Sequence, residues 1–309
     1  MGIIKTVDIV KEFKLDIVAG KSGVDRVIDS PDLSRPALEL AGYFSHYDPS
    51  RVQILGTTEL SFFSLLSDKE KKTRMRMLCT RKTPCIVVSR GLEVPKELIE
   101  AAKNYDTPIL RSKDSTSNII AKITMMLNKE LAPEISVHGV FIEVYGIGIL
   151  ITGESGIGKS EIALELIKSG HRLVADDRVD IKELEQGLLV GRCGSPLIQN
   201  LLEIRGLGII NVMTLFGTGA VREQKRIDLN IHLETWDDSK QYERIGLTKD
   251  HTIILGTEIE KKVIPVRPGR NVAAIVESAA MNFRLNKMGT NTAEEFEKKL
   301  REEIQQGAK

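Results

Sequence analysis

An excess of either charge is absent from this sequence: 44 basic side chains stand against 43 acidic ones in 309 residues, so no global field marks nucleic acid or an anionic membrane as the partner. Any preference of that kind has to come from local patches. Long hydrophobic runs are absent too, since no window reaches the roughly 18 uncharged apolar residues of a spanning helix. The start, Met1-Gly2-Ile3-Ile4-Lys5, carries charge by residue 5 and lacks the apolar stretch of a signal peptide. Cysteine is scarce. Cys79, Cys85 and Cys193 have neither zinc-like nor Cys-x-x-Cys spacing, and an odd count makes a poor disulfide framework. The expectation is a soluble protein of the reducing cytoplasm, with no nucleic-acid or membrane partner.

What is present reads as two domains, which 309 residues can supply at about 100–200 residues each. Over 1–131 short apolar strands such as Val52-Gln53-Ile54-Leu55 and Cys85-Ile86-Val87-Val88 alternate with helical runs over 57–66, 95–104 and 115–131. That alternation predicts an N-terminal α/β domain. It contains no catalytic motif, so a scaffold or regulatory role is the default, and His46 reads as a loop histidine without a partner ligand at useful spacing. Proline in Leu131-Ala132-Pro133-Glu134 ends the last helix, and a second domain is expected over 134–309.

The second domain is organised around Gly153-Glu154-Ser155-Gly156-Ile157-Gly158-Lys159-Ser160, which fits Gly-x-x-x-x-Gly-Lys-Ser, the phosphate-binding loop of nucleoside-triphosphate enzymes. Glycines let the chain wrap a phosphate chain with backbone N–H groups inward. Lys159 adds a point charge for the terminal phosphates, and Ser160 offers a hydroxyl to Mg²⁺ at the positive end of the following helix. The flanks agree: Val140-Phe141-Ile142-Glu143-Val144 and Gly148-Ile149-Leu150-Ile151-Thr152 read as strands, and 160–168 reads as a helix stopped at Gly170.

Further candidates surround this unit. His138 stands beside Gly139 just before a strand. The short strand that follows the loop helix ends in Asp176-Asp177, a pair that supplies either a Mg²⁺ ligand or a base for a hydroxyl proton. Its first residue, His171, lies far from that tip and reads as structural. Glu203 and Arg205, two apart, face one side of an extended segment, where one can hold a metal and the other phosphate oxygens. Phe216-Gly217-Thr218-Gly219-Ala220 is too glycine-rich for a regular element and reads as mobile, and the basic run over 222–226 reads as a solvated face. Arg267 and Arg270 lie in a proline and glycine turn ahead of a helix, an arrangement suited to oxyanions. The charged helix over 292–305 has Ala293, Phe296, Leu300 and Ile304 on one side, either packed on its own core or offered to a partner.

Taken together, GESGIGKS (153–160), VADD (174–177), LEIRGLGIIN (202–211), YER (242–244) and VRPGRN (266–271) resemble bacterial HPr kinase/phosphorylase in content, order and spacing. The resemblance extends over the whole chain and implies an N-terminal α/β domain plus a C-terminal P-loop kinase domain. It implies ATP-dependent phosphorylation of a serine on the phosphocarrier protein HPr and phosphorolysis of that phosphoserine by inorganic phosphate, giving pyrophosphate, in the control of sugar uptake and carbon catabolite repression. His138, Lys159, Asp177 and Arg244 match the family's active-site positions, and Ser160 and Glu203 its Mg²⁺ ligands. By the same resemblance the segment 202–211 serves both reactions and 265–270 mainly the phosphorolysis. A homohexamer is implied as well, in which a neighbour's C-terminal helix, here 292–305, helps hold HPr. Three rival readings fit less well, of which a pure HPr-binding regulator would not need Lys159 and Asp177. A GTPase-type switch usually carries Asn-Lys-x-Asp, and the nearest string, Asn286-Lys287-Met288-Gly289, lacks the aspartate. A small-molecule kinase leaves LEIRGLG and VRPGRN together without a purpose.

Overall fold

The computed structural model describes residues 3–185, 187–240, 242 and 250–307. The chain divides into two compact units, Met1–Ala132 and Pro133–Lys309.

In the first unit a five-stranded sheet runs in the order Asp16–Ala19, Ile109–Arg111, Ile86–Val88, Val52–Leu55, Leu33–Ser34. The last four are parallel and the first pairs antiparallel. Strands such as Ile86–Val88 are unbroken apolar runs because both of their faces are buried. Alternate residues serve the two faces. Ile86 and Val88 join Phe63, Met75 and Leu98 from the helices Thr57–Ser64, Asp68–Leu78 and Lys96–Ala102. Val87 and Leu110 turn the other way, onto Ile9 of the helix Thr6–Phe13 and Ile119, Ile123 and Leu127 of Thr116–Leu131.

The second unit stacks a helical layer on a six-stranded sheet and that sheet on a smaller one. The large sheet runs Arg172–Ala175, Val140–Val144, Ile147–Gly153, Leu229–Thr235, Thr257–Val266, Asp250–Ile254. Ile147–Gly153, Leu229–Thr235 and Thr257–Val266 are parallel, and the flanking strands are antiparallel to their neighbours. Ile149 and Ile151 face the helices Lys159–Lys168 and Val272–Lys287, where Ala163, Leu166, Val276 and Ala280 meet them. Leu150 and Phe141 face the second sheet, built from Gln224–Arg226, Leu188–Cys193, Arg178–Glu185 and Glu134–His138. The two sheets approach closely enough that a Cβ on Gly191 would lie 2.7 Å from the Phe141 ring.

Two segments differ from what composition suggests. Phe216 closes a short helix, Val212–Phe216, that Asn211 caps by accepting from the Thr214 N–H, and Thr218–Ala220 forms a 3₁₀ turn. Regular structure thus occupies a stretch expected to be irregular, because a good cap outweighs the glycines that follow. The basic run is also less solvated than its charge implies, since Arg222 and Lys225 converge with Arg172 on the nearly buried Glu143. The terminal helix, Thr292–Gly307, leaves Phe296 and Leu300 exposed, so that apolar side is not packed on its own core, and the Ile304 side chain lies outside the described residues. No helix among the described residues is long and apolar enough to cross a membrane.

Candidate active site

Strand direction gathers the candidate residues at one sheet edge. The three parallel strands end there, leading into the phosphate loop after Gly153, Trp236 after Thr235 and Arg267 after Val266. Val140–Val144 begins at this edge, preceded by His138 and Gly139, and Arg172–Ala175 ends at it, followed by Asp176 and Asp177. In open sheets with parallel strands, ligands bind beyond the carboxyl ends of those strands.

Gly153, Gly156 and Gly158 adopt φ of +148°, +86° and +99°, which side chains rarely tolerate, and Gly158 starts the helix Lys159–Lys168. Lys159 is buried and folds back, donating from Nζ to the carbonyls of Gly153 at 3.0 Å and Glu154 at 2.9 Å. A Cβ on Gly156 would lie 2.9 Å from Arg205 Nη1, so the guanidinium rests against the loop. Arg205 occupies the turn of a hairpin, Leu201–Ile204 with Gly208–Asn211, whose Leu202 and Ile204 anchor it in the core.

The two adjacent aspartates part company. Asp176 is 7% exposed and accepts from Ser160 Oγ at 3.0 Å and from the Glu203 N–H at 3.2 Å. Burial pushes its carboxyl above the usual carboxylate range, against the pull of those two bonds. Asp177 turns outward with φ of +66°, while the Arg178 N–H donates to the Asp176 carbonyl at 2.8 Å. A non-glycine residue at the centre of so tight a turn is strained, a feature that clusters at functional sites. The turn presents the Asp177 side chain, 74% exposed, to His138, whose Nδ1 lies 2.9 Å from Oδ1. The Gly139 N–H bonds the Asp177 carbonyl at 3.1 Å and fixes the pair from behind.

A cavity of about 160 Å³ lies between these elements. His138, Lys159, Ser160, Asp177, Glu203 and Arg205 all border it, together with Ser155, Gly156 and Gly158 of the loop. Asp176 borders it as well. Its signal in the sequence was its place directly after an apolar strand, but only burial separates its role from that of its neighbour. Ile157 packs against the core instead of facing the cavity. Arg267 and Arg270 share the sheet edge but do not border the cavity: the Arg267 guanidinium stacks 4.8 Å from the Trp236 ring centroid, and Arg270 Nη1 donates to the Pro265 carbonyl at 2.9 Å. Trp236 in turn stacks on Tyr242, with centroids 4.8 Å apart. Arg244 lies outside the described residues. His171 is buried against Glu277 at 2.8 Å and is structural.

The donor set suits a hard divalent cation. Ser160, Asp176 and Glu203 supply one hydroxyl and two carboxylates along one wall, and Mg²⁺ takes few protein ligands, completing its shell with water and substrate phosphates. No cluster of three or more metal-ligating His, Cys, Asp or Glu side chains occurs among the described residues.

Comparison with known proteins gives two matches that together span almost the whole chain. The family profile described as HPr Serine kinase N terminus matches residues 4–127, and the one described as HPr Serine kinase C-terminal domain matches residues 129–300. Among solved structures, the Hpr(Ser) kinase/phosphatase from Coxiella burnetii is similar at 36% sequence identity over 52% of this chain and 98% of that one, with a TM-score of 0.47.

Proposed function

The chain belongs to the HPr serine kinase family, and we propose that the cleft between Lys159 and Asp177 is where it exchanges a phosphoryl group with a serine of HPr. The protein is an enzyme that phosphorylates HPr on serine and acts in the reverse direction on the product, in carbon catabolite regulation. The observation that carries the reading of the cleft is the strained Asp177, held by His138 on one wall of a cavity whose other wall is a phosphate loop.

In the forward direction the loop amides, Lys159 and Arg205 hold the phosphates of ATP, and phosphoryl transfer asks mainly for such positioning and charge neutralisation. Ser160, Asp176 and Glu203 are the residues to hold Mg²⁺, which when bound neutralises the phosphate oxygens. The serine oxygen forms its bond to the terminal phosphorus as the bond to ADP breaks, and Asp177 takes the serine proton. In the phosphorolysis an oxygen of inorganic phosphate forms its bond to the phosphoserine phosphorus as the bond to the serine oxygen breaks, protonated Asp177 gives its proton to the serine, and pyrophosphate leaves, so that one carboxyl group acts as base in one reaction and as acid in the other. His138 orients Asp177 and offers its ring to phosphate. Arg267 and Arg270 serve the phosphorolysis, which requires Arg267 to leave Trp236.

We assign the N-terminal unit a scaffold or regulatory role, the default for a stretch whose sequence holds no catalytic motif. The exposed side of Thr292–Gly307 supports a partner contact, and a hexamer in which that helix helps a neighbour hold HPr accounts for it. The test is a two-stage assay: HPr with ATP and Mg²⁺, then inorganic phosphate on the product. Serine phosphorylation followed by release of pyrophosphate is expected, with Asp177→Asn lowering both rates by about 10²–10⁴. Near-normal turnover of that variant would remove Asp177 from the base role.

A further inference from the structure

The phosphoryl-transfer scheme leaves one feature of the second unit unused. Large apolar side chains lie exposed along the single segment 197–216, among them Leu197, Leu207, Ile209 and Leu215, of which Leu207 is 66% and Ile209 69% exposed. Contiguous exposed apolar surface marks interaction sites on soluble proteins.

Register places this surface at the mouth of the cleft. In the hairpin Leu201–Ile204 with Gly208–Asn211, Glu203 stands directly opposite Ile209. Opposed residues of an antiparallel pair project to the same face, with Cβ atoms about 4.5–5.5 Å apart. The Ile209 side chain therefore stands beside the Glu203 carboxylate that borders the cavity. Leu202, Ile204 and Ile210 occupy the opposite face and pack into the core, so Ile209 is not needed there. On the outer face of such a hairpin a polar residue is the ordinary choice. Leu207 closes the turn that Arg205 opens, and the helix Val212–Phe216 continues directly from the second strand with Leu215 exposed.

We propose that Leu207 and Ile209, extended by Leu215, dock the protein substrate through an apolar surface around its serine. This rests on the reading of the cleft given above. A small free hydroxyl compound would gain nothing from a wall outside the cavity, whereas a folded protein presenting one serine has to lay neighbouring surface against the rim. A second copy of this chain does not suit the position, because anything covering Ile209 also covers Glu203 and closes the cavity to a protein substrate.

The experiment compares full-length wild type with Ile209→Ser and Leu207→Ser, and with Ile209→Leu as the conservative control. HPr phosphorylation is measured at varied HPr concentration, and ATP affinity and oligomeric state are measured separately. We expect KM for HPr to rise about tenfold or more in the serine variants, in the range of an interface anchor, with ATP affinity and oligomeric state unchanged and KM restored in Ile209→Leu. Unchanged KM in active serine variants would overturn the docking surface alone. So would dissociation of the native assembly, which would make the face a contact between copies. Wild-type protein that binds ATP but leaves HPr unmodified would overturn the reading of the cleft as well.

Discussion

Parallel strands in each of the two units lead into a helix, with opposite results. In the N-terminal unit Val52–Leu55 is followed by Gly56 and the helix Thr57–Ser64, in the second Ile147–Gly153 by the phosphate loop and Lys159–Lys168. The first helix start is satisfied from within: Glu59 is 2% exposed, accepts from the Gly56 N–H at 2.9 Å and pairs with Arg35 at 2.7 Å. Beside it Ser89 and Thr116 bond each other at 2.8 Å. The second start has three glycines and a lysine whose ammonium, among the described residues, holds carbonyls of its own loop. A helix N-terminus is a ready anion site only while no carboxylate of its own fills it. The difference in chemistry between the units thus lies in where the negative charge comes from, and substitutions can press on it from both sides.

Between the two helix starts the largest effect is expected from Lys159→Ala, which should lower HPr phosphorylation by about 10²–10³ in steady-state assays, as for loss of one preorganised donor. Glu59→Ala in the same assay should leave the rate within about twofold; a matching loss would mean that the N-terminal helix start takes part in the chemistry. Next comes Leu110→Ala, which empties a fully buried site and should cost the N-terminal unit about 2–5 kcal/mol in denaturant titration while ATP affinity is retained. Glu59→Ala should cost that unit less, about 1–3 kcal/mol, by leaving the Gly56 N–H and Arg35 without their buried partner.

The smallest effects concern the thiols. Burial pushes Cys79 and Cys85 up to about 12 from an ordinary 9.0, so neither should react with a thiol reagent near pH 8, whereas the half-buried Cys193 should label first. Because the folded-state values are raised, their contribution to stability is complete below about pH 9 and is lost as pH rises through about 12. Alkaline melting followed in the N-terminal unit should therefore shift to higher pH in Cys79→Ala with Cys85→Ala. An unshifted curve would mean that these thiols are not protected by the core.

Much of the site was legible because its requirements are local. Gly153, Gly156 and Gly158 supply positive φ that the loop geometry demands, and Lys159 and Ser160 follow at the start of a helix. Strands such as Val140–Val144 were legible from their apolar runs. The hairpin formed by Arg178–Glu185 and Leu188–Cys193 was not, because its charged and apolar residues alternate over a face buried only by the larger sheet. Nor could Val212–Phe216 be read beside so many glycines, since its cap decides it.

The amino-acid sequence by itself determined that this chain carries a glycine loop with the pattern suited to phosphate and that its motifs are those of an HPr kinase, because spacing along the chain sets which backbone shapes and charges are possible there. Only the tertiary structure decided that Asp176 is buried on Ser160 while Asp177 faces His138, that Arg267 rests on Trp236 outside the cavity, and that Ile209 stands beside Glu203. Those outcomes depend on strand register and burial between segments far apart in the chain, where identical neighbours in sequence meet different surroundings.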